Sequence, residues 1–191
     1  MKNLIFGLAL LFHFTSFSQN AEILKSDVKK MYDASYNLAF EEVMNYTHPK
    51  VFEMANKEDV LAAMEYAFDN ETMRIRLVHV NPTFTYSEIK IIEGKSFCLI
   101  NYTNAMRMTF ENKLSGDEIE TMKKSFLDSG EYKTVQYEKD RNSFFLEGNA
   151  FMIAVADETT QGKWKFVNYS KTQAQLAEML LGAKVIKELG L

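Results

Sequence analysis

Apolar residues along the chain keep two different periods, and the switch between them divides it into elements. Leu24, Val28, Met31 and Leu38 recur at helical spacing, and Tyr32, Tyr36, Phe40 and Val43 widen the stripe. The spacing predicts a helix from Ala21 to about Tyr46, closed by His48-Pro49 because the residue before a proline avoids the α region. A second helix is expected from Asn56, an N-cap residue with Asp59 three positions on, burying Val60, Leu61, Met64 and Phe68 and stopping near Asp69-Asn70.

The period then becomes two. Met73, Ile75 and Leu77 alternate with Arg74 and Arg76, which predicts a strand over 73–80. Strands follow over 83–92 and 96–110, and Cys98, Ile100, Tyr102, Met106, Met108 and Phe110 share one face of the second. Ser115-Gly116-Asp117-Glu118 reads as a capping box opening a helix to about Gly130. Strands over 132–137, 143–157 with a break at Gly148, and 163–169 come next. A last helix, capped by Ser170 or Thr172, carries the stripe Leu176, Met179, Leu180, Ala183 and Ile186. Hairpin-linked strands with helices on one face define an α+β protein built on an antiparallel sheet.

The first residues follow a different logic. Lys2 precedes the apolar run 4–14, and Ser16 and Ser18 supply small residues before Gln19. This arrangement predicts a signal peptide over 1–18, an exported (periplasmic or secreted) mature domain over 19–191, and no integral membrane segment. The net charge of −4 becomes −5 when Lys2 leaves with the leader, since residues 1–18 hold no other charge. An acidic domain without a Lys/Arg cluster is a poor partner for nucleic acid. Cys98 is the only cysteine, so the core must hold the fold without an internal disulfide, and Cys98 itself reads as packing. With two histidines left after the leader, no metal site is expected, and no motif implies a cofactor.

The long N-terminal helix, the step Tyr46-Thr47-His48-Pro49-Lys50-Val51-Phe52, the short helix from Lys57 and the closing strand Lys163-Trp164-Lys165-Phe166-Val167 together resemble the NTF2-like superfamily. This is the SnoaL-like or cystatin-like cone. The resemblance covers most of residues 21–170 and rests on element order. It implies a strongly curved antiparallel sheet packed by N-terminal helices around a cone cavity. The helix after Thr172 is extra to many members. The family includes isomerases, dehydratases and hydrolases as well as plain binding modules, so the resemblance does not choose between them.

Five residues are candidates for such a cavity. His79 lies in phase with the apolar face of its strand: a general base if it points inward, a backbone-bonded rim histidine if it does not. Asn104 interrupts the apolar face between Tyr102 and Met106, which suits either a ligand-binding amide or a bulge. Tyr32 and Tyr36, one helical turn apart, and Tyr102 offer hydroxyls, although a tyrosine with its ring in the core is the commoner arrangement. His79 has no acidic neighbour on its own strand. The residues therefore favour a non-catalytic module taking a small apolar ligand, with a homodimer through the sheet or the C-terminal helix as a further expectation. A small lyase, isomerase or hydrolase is the alternative.

Overall fold

Two long strands organise the molecule. The structure is a computed structural model that describes residues 20–191, so the expected leader lies outside the described residues. β4 (Lys95–Phe110) and β6 (Ser143–Ala156) pair antiparallel without interruption from Ser96↔Ala156 to Thr109↔Ser143. Three short strands line the outer edge of β4: β1 (Met73–Leu77), β2 (Phe84–Tyr86) and β3 (Lys90–Ile92). β5 (Thr134–Glu138) and β7 (Lys165–Tyr169) line the outer edge of β6. The result is one curved, open, antiparallel sheet of seven strands in an α+β fold.

Helices cover both faces, because successive side chains point to opposite faces and β4 and β6 carry apolar residues at both sets of positions. On one face Cys98, Ile100, Met152 and Ala154 meet Leu24, Val28 and Met31 of α1 (residues 20–36), joined by Phe40 and Val43 of α2 (Phe40–Tyr46). The short α3 (Val51–Met54) leads to α4 (Lys57–Phe68), where Asn56 Oδ1 accepts a hydrogen bond from the Asp59 amide as expected. Trp164 locks the start of α1 to β7 by donating from Nε1 to Asn20 Oδ1 at 2.7 Å. On the other face Phe97, Ile153 and Val155 pack against α6 (Ala174–Leu181) and α7 (Ala183–Leu189). The capping box of α5 (Gly116–Asp128) is fully formed, with Ser115 and Glu118 bonding each other's backbone amides.

Several sequence expectations are corrected. The helix expected over 21–46 is two, because Leu38 adopts φ 58°, a left-handed conformation outside the helical path. The break turns Phe40 toward Phe68, with ring centroids 5.1 Å apart. The strand expected over 83–92 is also two, β2 and β3. The single C-terminal helix splits at Gly182, whose φ of 93° suits a residue without Cβ. The buried set is Ala177, Leu180, Val185, Ile186 and Leu189, while Leu176 and Met179 are exposed. Neither Ser170 nor Thr172 caps α6: its N-cap is Gln173, without a side-chain bond. Finally, Gly148 does not break β6. A Cβ there would lie 2.0 Å from the Glu131 carbonyl oxygen, so glycine marks where another segment crosses the strand.

Candidate functional site

That crossing explains a gap in the sheet edge. β5 pairs with Ser143–Glu147 and β7 with Phe151–Val155, so Gly148, Asn149 and Ala150 have no strand on their outer side. A cavity of about 510 Å³ opens there, a size suited to a small organic ligand. Leu99, Met106, Phe151 and Tyr169 supply apolar wall, and Tyr132 enters from the segment that leads into β5. Burial pushes the Tyr132 phenol above its ordinary pKa, so it is a neutral wall residue.

Asn104 lines this cavity opposite Gly148. The β4–β6 register runs through Asn104 unbroken, so it does not mark a bulge. Its Oδ1 is buried and has no hydrogen-bond partner among the described residues, an arrangement that costs free energy until something completes it. At the mouth, Lys133 Nζ donates to Asn149 Oδ1 at 3.2 Å, and Thr172 Oγ1 donates to Glu131 Oε1 at 2.7 Å.

The other four candidates lie outside the cavity, around α1, with Tyr102 on the same face of β4 as Asn104. The Tyr32 hydroxyl donates to the His79 carbonyl at 2.6 Å, and the Tyr32 ring packs edge-on against Tyr102, centroids 5.6 Å apart. Burial holds the Tyr32 phenol neutral, its pKa pushed up to about 12, and raises that of Tyr102 as well. Tyr36 is half-buried beside Tyr32. Tyr32 and Tyr102 fill a packed aromatic cluster with Phe84. The His79 ring leaves β1 at its end, with Nε2 at 3.4 Å from Glu147 Oε2. A carboxylate therefore stands beside His79 from across the sheet. Both side chains are more than a third exposed, and neither lines the large cavity.

Another histidine pairing was invisible in the sequence. His48, expected in a loop, is fully buried, with Nε2 at 3.5 Å from Asp157 Oδ2 and Nδ1 accepting from the Lys50 amide. Burial lowers the His48 pKa, and Asp157 opposes this only in part. Burial would raise the Asp157 pKa, but bonds from the Thr159 hydroxyl and Thr160 amide, with His48 beside it, bring it below the ordinary value. The adjoining space is about 20 Å³, enough for one water and no substrate. With Nδ1 occupied and Nε2 enclosed, His48 has no ring nitrogen free to act as a base.

Among the described residues no group of three or more His, Cys, Asp or Glu is placed to hold a metal ion. No helix there is long and apolar enough to cross a membrane. No protein-family model matches the chain and no curated protein matches it, so the site itself has to carry the functional reading.

Proposed function

We propose that the chain is an exported, non-catalytic binding module of the NTF2-like kind, holding a small apolar ligand at the open edge of β6. The observation that carries this reading is the cavity of about 510 Å³ whose walls are apolar and whose buried polar feature is an incompletely bonded asparagine. Its lining contains no His, Cys or Asp, and its Glu131 is engaged by Thr172 at the mouth. General acid–base chemistry needs titratable groups converging on one point, whereas here Glu131 is engaged by Thr172, Lys133 by Asn149, and burial holds the Tyr132 phenol neutral. The long N-terminal helix and curved antiparallel sheet support the NTF2-like assignment, and the leader-like residues 1–18 support export.

A second reading has one observation in its favour, the His79–Glu147 pair. A histidine oriented by a carboxylate is the core of many general bases, and an enzyme would centre its substrate there. The exposure of both side chains, neither of which lines the large cavity, favours a surface ion pair instead.

Titration of the protein with 1-octanol, followed by amide NMR shifts, separates the two readings. The binding module predicts saturable shifts at Asn149, Ala150, Phe151 and Tyr169. Shifts centred on His79 and Tyr32, or none at all, would overturn it.

A further inference from the structure

The edge gap that opens the cavity is also a gap in backbone hydrogen bonding, and its geometry specifies a ligand class. In an antiparallel strand every second residue turns both its N–H and its C=O to the same side. The Glu147 carbonyl accepts from the Lys133 amide at 2.7 Å, so Glu147 faces outward. Phe151, paired with Tyr169, faces outward as well. Asn149 lies between them on the same alternation, and among the described residues its peptide N–H and C=O meet no strand, because β5 ends its pairing at Glu147 and β7 begins at Phe151. Its side chain does not close on these groups but reaches Lys133.

The direction of the flanking strands adds a second constraint. β7 and β5 both run antiparallel to β6, and along that edge the C-terminal end of β7 at Tyr169 points toward the N-terminal end of β5 at Thr134. Three unpaired residues separate them, about 10 Å at the ordinary strand rise. An extended segment of three residues fits that length in line with its neighbours. Its central residue would exchange two hydrogen bonds with Asn149.

We propose that the ligand is a short extended peptide that completes the edge of β6 between β7 and β5 and places one large apolar side chain in the cavity, against Leu99, Phe151 and Tyr169. This rests on the binding reading above and names its ligand. Backbone pairing supplies affinity in such strand addition, and a side-chain pocket supplies selectivity. An alkane or alcohol would fill the cavity but leave the Asn149 peptide unpaired.

The test is displacement of Nile red, a neutral apolar dye, from the whole protein by acetyl-Ser-Phe-Ser-amide. Two controls are the same peptide N-methylated at its phenylalanine and the peptide with alanine in that place. The proposal predicts displacement by the parent peptide, with each control weaker by about tenfold or more. Equal displacement by parent and N-methyl peptides would overturn the strand-addition inference while the dye still reports the cavity. Dye binding without any peptide displacement would do the same. Failure of the dye itself to bind would remove the cavity reading, and this inference with it.

Discussion

At single residues the sequence marks positions more readily than reasons. Gly148 was visible as an irregularity inside an apolar strand, but the reason, the Glu131 backbone crossing it, depends on a chain segment 17 residues away. Replacing it with alanine forces backbone apart, so Gly148→Ala should destabilise by about 3 kcal/mol in urea unfolding, a cost typical of overpacking. Asn104 was legible as a polar break in an apolar face, and it is the one candidate that lines the cavity. Tyr32 and Tyr102 were legible as apolar-phase tyrosines, yet period alone could not say that their rings fill space rather than border it. His48 had no sequence signal, since its partner Asp157 lies on a distant turn. It gives a pH prediction. The ordinary histidine pKa is 6.5, and the folded value is lower. The unfolded chain therefore binds the proton first, and stability is complete above about 6.5 and falls as pH drops toward the folded value. Asp157 adds a separate loss below its ordinary value of 3.8. The melting temperature should fall between pH 7 and pH 5.5, and His48→Gln should flatten that slope, measured by thermal unfolding across the range.

At the scale of elements, the periods identified most helices and strands because burial enforces them, while the breaks came from geometry that periodicity does not encode. Leu38 and Gly182 both leave the right-handed region, and each rotates the apolar stripe of the helix after it. Leu176 and Met179, which precede Gly182, are exposed although the C-terminal stripe had implied their burial, because α6 turns Ala177 and Leu180 inward. Leu180, from the same expected stripe, is buried, 3% exposed. Leu180→Ala should cost about 3 kcal/mol in chemical denaturation, as cavity-creating core changes do, while Met179→Ala should cost under about 0.5 kcal/mol. Equal effects would show that the two helices turn differently. The capping box was readable outright, since Ser115 and Glu118 act within four residues. Ser115→Ala should lower stability by about 1 kcal/mol.

At the scale of the whole molecule, α+β class and an antiparallel sheet followed from hairpin-linked strands. Layering did not. The expected arrangement put helices on one face around a cone cavity, whereas the α1 face is filled and α6 and α7 cover the other. The space left is lateral, at an edge that β5 and β7 share without meeting. No local pattern could reveal that, because the gap is set by where two separate pairings end. The central claim is that this lateral cavity binds a ligand, and equilibrium titration with Nile red tests it most directly when the native chain is compared with Ala150→Phe. Ala150 lines the cavity within the unpaired stretch, so the larger ring occupies the space the dye would take. The account predicts saturable one-to-one binding by the native chain and at least a tenfold loss in the variant, with the melting temperature retained. Equal binding by both would contradict it.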